Sequence, residues 1–305
     1  MIKIDLSKPT CMSPAVAVPE FQSSDLLPLM ERWLKERTDA TQWDWLNSRE
    51  IDRKQPFLLA FALCSRKVGR EDLCLSSTQL QQANQARNGW NPADWSVDQL
   101  ARTWLVLKAE TALGDEFPAL LDQLFAVGEV QELVTLYQLL PFLQQPQQYT
   151  ARAMEGIRTN IKPVFCAVAQ VNPFPAEQLS TPAWNQMILK ALFIDATLDR
   201  IWKVDERANA ELTTMLLDYA DERFAASRPI PVELWRPVGA APNDRAVQTL
   251  KRTFEFGNPT ERCAAALAMK SINSPETISI LENDRQLSQR LDSGDLTWAT
   301  LTIGC

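Results

Sequence analysis

Apolar residues recur at helical spacing along almost the whole chain, and the breaks between these runs carry residues that start helices. Ser96 precedes VDQLARTWLVLKAETAL with Gln99 three residues on, the pattern of a capping box. Thr181-Pro182, Asn258-Pro259 and Ser274-Pro275 each place an N-cap residue before a proline suited to a first helical turn. Alternating β-branched runs are scarce, and only 9 glycines serve 305 residues, which leaves little turn chemistry for hairpins. The expected fold is all-α. Short connections favour stacked antiparallel helices, a HEAT-like array of the α-solenoid type.

Helices are expected over 24–37, 43–67 (divided near Pro56), 77–87, 97–113, 117–126, 130–141, 149–159, 163–170, 182–194, 205–227, 243–256, 259–271 and 275–284. The stretch RPIPVELWRPVGAAP, residues 228–242, carries four prolines and interrupts this pattern. It suggests three parts: a poorly structured arm at 1–22, a main helical body at 23–238, and C-terminal hairpins with a tail at 239–305. Within the last part, RAVQTLKRTFEFG and NPTERCAAALAMKSI read as one helical hairpin of HEAT type, its alanines permitting close packing. The tail SGDLTWATLTIGC leaves a short helix and an extended segment both open.

The chain contains no histidine, which removes Ser-His-Asp and Cys-His catalysis, imidazole-based zinc sites and a histidine general base. There is no glycine-rich phosphate loop and no nucleophile motif, and neither a cofactor nor a metal is expected. With 31 basic against 38 acidic residues the net charge is -7, an unfavourable balance for nucleic acid as a partner. Six cysteines at 11, 64, 74, 166, 263 and 305 form no Cys-x-x-Cys pair and read as reduced thiols of a soluble cytoplasmic protein. No stretch supplies the roughly 18 continuous apolar residues of a membrane span, and the N-terminus lacks the apolar run of a signal peptide.

Candidate site residues are polar groups that fall where a helical wheel places apolar ones. Arg223 lies with Leu216 and Tyr219 on the apolar face of 205–227, and a guanidinium there requires a partner. Glu132, a carboxylate on an otherwise apolar helix, is the first protein candidate; a ligand is the alternative. Asn209 lies on the same side nearer the helix start. PAWNQMILKALFI is apolar almost all round, yet it carries Asn185 among aliphatic residues and Lys190 in a stripe with Gln186. In EGIRTNIKPVF, Arg158 and Asn160 stand before the next helix, placed either to hold an anion or to cap carbonyls. Trp43, Trp45, Trp90 and Trp95 form either an exposed docking patch or part of the core.

Several segments occur in one order: GEVQELVTLYQLLP, EGIRTNIKPVFCAVAQVNPFP, WNQMILKALFI, VDERANAELTTMLLDYADERFAASRP and VELWRPVG. Together they resemble the EboA family over residues 97–270, with the first 90 residues less alike. The positions that match include Glu132, Arg158, Asn160, Asn185, Lys190, Asn209 and Arg223. One departure is in DYADERFAA, where Asp221 and Phe224 stand in place of the family's usual histidine and tryptophan. The resemblance implies a gene neighbourhood with a prenyltransferase, TIM-barrel proteins and a sugar-phosphate cyclase relative, and a role in making or exporting a secondary metabolite. It supplies no catalytic residues. Three functions remain open: an accessory protein binding a polar or anionic intermediate or pathway enzymes, a pure interaction scaffold, and a histidine-independent enzyme.

Overall fold

A computed structural model describes residues 26–303; the expected arm at 1–22 lies outside them, as do Cys11 and Cys305. The N-terminal helices are α1 (Leu26–Arg37), α2 (Ala40–Asn47), α3 (Lys54–Val68), α4 (Ser77–Ala86), α5 (Val97–Leu113), α6 (Phe117–Val127) and α7 (Val130–Leu139). Next come α8 (Thr150–Arg158), α9 (Lys162–Ala169), α10 (Phe174–Gln178), α11 (Thr181–Phe193), α12 (Ala210–Ala225) and α13 (Trp235–Ala240). The chain continues through α14 (Ala246–Phe256), α15 (Pro259–Ile272), α16 (Pro275–Glu282), α17 (Arg285–Ser293) and α18 (Trp298–Ile303). Among the described residues there is no sheet, only an isolated bridge between Asp72 and Ser96. No helix among them is long and apolar enough to cross a membrane. The protein is an all-α helical array.

Two helices organise the packing. The first, α5, contacts α1, α3, α6 and α7, and every residue from Val97 to Leu107 is buried. Around it the tryptophans turn inward. Trp33, Trp90, Trp95 and Phe142 form a chain of rings with centroids 5.1–6.3 Å apart, and Trp43 packs 5.8 Å from Trp104. Trp90 and Trp95 are therefore core, and Trp43 and Trp45 are partly buried against it, so these rings do not make an exposed docking patch.

The second organiser is the alanine-rich α15, which packs on α13, α14, α16, α17 and α18. Its small side chains let another backbone come close: a Cβ on Gly239 of α13 would lie 2.7 Å from the Ala268 Cα. The proline-rich stretch at 228–242 thus contains a helix, and position 238/239 falls within it. Glycine and alanine supply close packing there.

Several helix ends differ from expectation. The break within 43–67 falls at 48–53, while Pro56 sits in the first turn of α3, where its missing N–H has no helical acceptor to lose. The helix expected from 205 begins at Ala210, because Asn209 caps it by accepting from Leu212 N. Asn258 and Ser274 cap α15 and α16 as expected, but Ser180, not Thr181, is the N-cap of α11. The Ser96–Gln99 capping box does not form, since Ser96 donates to Asp98 and Gln99 to Gln138. α10 and α17 were not expected from the spacing, and the tail contains α18.

Gly239→Ala should destabilise the fold by about 1–3 kcal/mol, because the added methyl meets backbone that cannot rotate away; urea unfolding measures this. Glu110, buried near the end of α5, accepts from Gln144 N with one carboxyl oxygen while the other has no partner. Burial pushes its pKa from 4.5 up to about 7. The folded state therefore holds a proton that the unfolded chain releases near pH 4.5, so stability falls between pH 4.5 and 7 and the full deficit, roughly 3 kcal/mol, persists above pH 7. Glu110→Gln is expected to melt above the wild type at pH 8 and level with it at pH 4; an equal gain at both pH values would refute the titration.

Candidate functional site

An array of packed helices offers few places for charge, and α5 carries a charged pair that is largely buried. Asp98 and Arg102 lie one turn apart and form an ion pair whose side chains are 8% and 4% exposed. Arg102 Nε donates to Phe61 O at 3.2 Å, and the guanidinium lies 5.4 Å from the Phe61 ring centroid. Its second amino nitrogen reaches Glu132 Oε1 on α7 at 3.7 Å, an electrostatic contact beyond hydrogen-bond length. Asp98 also accepts from Ser96 Oγ at 2.6 Å, and Glu132 Oε2 accepts from Glu129 N at 3.0 Å. One cation thus serves two carboxylates.

This triad forms part of the wall of a cavity of about 760 Å³ bounded by α3, α5 and α7. Ala62, Leu63 and Arg66 come from α3, Arg70 from the turn after it, and Gln131, Glu132 and Thr135 from α7. Val127 and Glu129 line it from the α6–α7 corner. Asp94 stands at one edge, where it faces a second cavity of about 680 Å³ and pairs with Arg200. In that neighbouring cavity Gly89, at φ +82°, lets the Trp202 ring approach to a distance a Cβ would close. Beneath the triad, burial pushes the Cys64 thiol up to about 12, which leaves it without nucleophilic character at neutral pH. The lining is mostly polar and charged, with Ala62, Leu63 and Val127 as its apolar residues, so the cavity is large enough for a small molecule and suits a polar one.

None of the six residues singled out from sequence lines this cavity. Asn185, fully buried on α11, exchanges two amide hydrogen bonds with Asn209, at 2.9 and 3.2 Å. That pair fixes the residue that starts α12. Lys190 donates to Ile157 O at 2.6 Å and Thr159 O at 2.7 Å, closing the C-terminal end of α8, and desolvation lowers its pKa. Lys190 is thereby brought to the corner that carries Arg158 and Asn160, both exposed. Asn185 and Asn209 form a separate group, and Arg223 a third.

The expected Glu132–Arg223 pair is absent. Arg223 Nε donates to Pro229 O at 2.8 Å, with its guanidinium 5.7 Å from the Tyr219 ring centroid, so it ties the chain leaving α12 to that helix. The helix wheel placed it beside Tyr219 correctly, but it lies in the last turn, where a half-buried arginine reaches carbonyls instead of a carboxylate. Glu132 is matched with Arg102, which the sequence reading passed over. The signal in the sequence is a charged i, i+4 pair, Asp98 and Arg102, within a run otherwise rich in Leu, Val, Ala and Trp.

Arg102→Met should cost about 3–5 kcal/mol, because Asp98 and Glu132 then lack their shared counter-charge. Adding Asp98→Asn and Glu132→Gln to Arg102→Met should restore much of the loss. Urea unfolding of the single and triple variants measures both; a single variant as stable as wild type would mean that the triad is hydrated.

No curated protein and no solved structure matches this chain. A family profile described as "Metabolite traffic protein EboA" matches residues 26–239, beginning about 70 residues before the resemblance read from the sequence and ending about 30 before its end. The matched span contains α3, α5 and α7, and with them the triad and its cavity. Covering well over half of the sequence, the match establishes that this chain belongs to the EboA family.

Proposed function

We propose that this chain is a non-catalytic accessory protein that holds a small polar metabolite in the cavity between α3, α5 and α7 and passes it between proteins of one pathway. The observation that carries this reading is the Asp98–Arg102–Glu132 triad, a buried charged group beside open volume instead of packed side chains. A sealed ion pair needs every lone pair and proton met by protein, whereas one left beside a cavity keeps acceptor and donor sites for a guest. The family's description as metabolite traffic proteins supports the same reading. Binding without turnover is favoured because Asp98 and Glu132 are each held by protein donors, and the chain has no histidine to move a proton near neutral pH.

A second reading, docking of a partner protein, draws support from the cavity's border. Leu59 is 61% exposed, one turn from Ala62 on the same face of α3, and Val127 is 69% exposed. The two readings are compatible, since a carrier must meet the proteins it serves.

Native mass spectrometry of the protein isolated from its own cells should show a bound small molecule. Ala62→Trp adds an indole to the cavity wall at an exposed position and should lose that adduct without a change in melting temperature. Wild-type protein that carries no adduct, or a variant that keeps it, would count against the cavity as the site.

A further inference from the structure

The charges around the cavity are arranged by sign. Glu132 Oε2 is occupied by Glu129 N, whereas Glu132 Oε1 accepts no hydrogen bond among the described residues and has Arg102 only at 3.7 Å. At the buried level two carboxylates face one guanidinium, leaving an excess of one negative charge beside the α7 wall. The α3 wall carries the opposite excess. Arg66 has no ion pair or hydrogen-bond partner among the described residues, and Arg70 has only a long contact to Ser65 Oγ at 3.4 Å. Asp94, an acid at the cavity edge, is engaged by Arg200. Ala62, Leu63 and Val127 supply apolar surface between the charged walls.

We propose that the ligand is a zwitterion: an ammonium group set on Glu132 Oε1, an oxyanion set between Arg66 and Arg70, and an apolar body spanning the two. This assignment rests on the binding reading above and narrows it to a chemical class. A guest with only an anion meets the excess negative charge at Glu132, and one with only a cation meets Arg66 and Arg70. In either case like charges close together weaken binding, whereas a zwitterion satisfies both walls at once. A cavity of about 760 Å³ exceeds what a free glycine needs, so the two charges are separated by a body of several carbons.

The test uses the full chain with a series of ω-amino acids: glycine, 4-aminobutanoate, 6-aminohexanoate and 8-aminooctanoate. Hexylamine and hexanoate are the controls that each lack one charge. Titration calorimetry should find an optimum length that binds at least about tenfold tighter than either control. Glu132→Gln keeps the oxygen that caps α7 and should bring the best amino acid down to the affinity of hexanoate. Arg66→Ala with Arg70→Ala, both exposed positions, should bring it down to that of hexylamine. Melting temperatures of the variants confirm that each remains folded. If no ω-amino acid binds, or if both controls bind as well as the best of them, the zwitterion assignment is overturned. A cell-derived adduct retained in that case leaves the carrier reading standing, while absence of any adduct removes both.

Discussion

A helix wrapped by other helices has no water in which to place a charge, and the N-terminal half of this fold is built around such a helix. α5 meets that constraint in two ways. Asp98 and Arg102, a turn apart, neutralise one another and recruit Glu132 from α7, so the charge also fixes how α7 lies against α5. Glu110, three turns further on, has no cation and is instead driven toward its protonated form. The first solution leaves charges beside a cavity, and the second leaves a neutral acid in the core. Only the first gives a ligand something to recognise.

Elsewhere the packing of helices is supplemented by polar ties between elements distant in sequence. Arg87 grips Glu177 through a bidentate pair that is largely buried, joining α4 to α10. Arg236 bridges Asp199 and Asp205, while Glu233 accepts from the backbone of Leu198 and Asp199, so the turn before α12 is clasped from the α13 side. Arg207 donates to three carbonyls around α10. Glu233 and Arg207 thereby supply partners that irregular backbone lacks, which is the general requirement for loops between packed helices.

What the sequence revealed and what it did not divide along physical lines. Helix existence was legible because apolar spacing is a local property, and capped starts such as Asn258 and Ser274 were legible for the same reason. Misplaced polar residues could also be seen: Asn185, Lys190, Asn209 and Arg223 do occupy unusual positions. Their partners could not be read, because partnership depends on which helix end arrives alongside. Lys190 closes α8 and Arg223 holds the chain leaving α12, both through backbone carbonyls that carry no sequence signal, while Asn185 steadies a cap through the Asn209 side chain of another helix start. The cavity was hidden for a related reason. Its lining comes from three separate stretches between Ala62 and Thr135, and no single wheel contains more than a few of them.

Burial of α5 from Val97 to Leu107 has a dynamic counterpart. Amide protons in a helix covered on every face exchange only when the surrounding structure opens, so this segment belongs to the most slowly exchanging part of the molecule. The walls of the cavity differ: α3 and α7 each turn a solvent face outward, and the α6–α7 corner carries exposed Val127 and Glu129. Floor and walls therefore sit at opposite ends of the local-opening scale. In the carrier reading proposed above, the charges on α5 are the fixed reference, and the more exposed walls are the parts that open first.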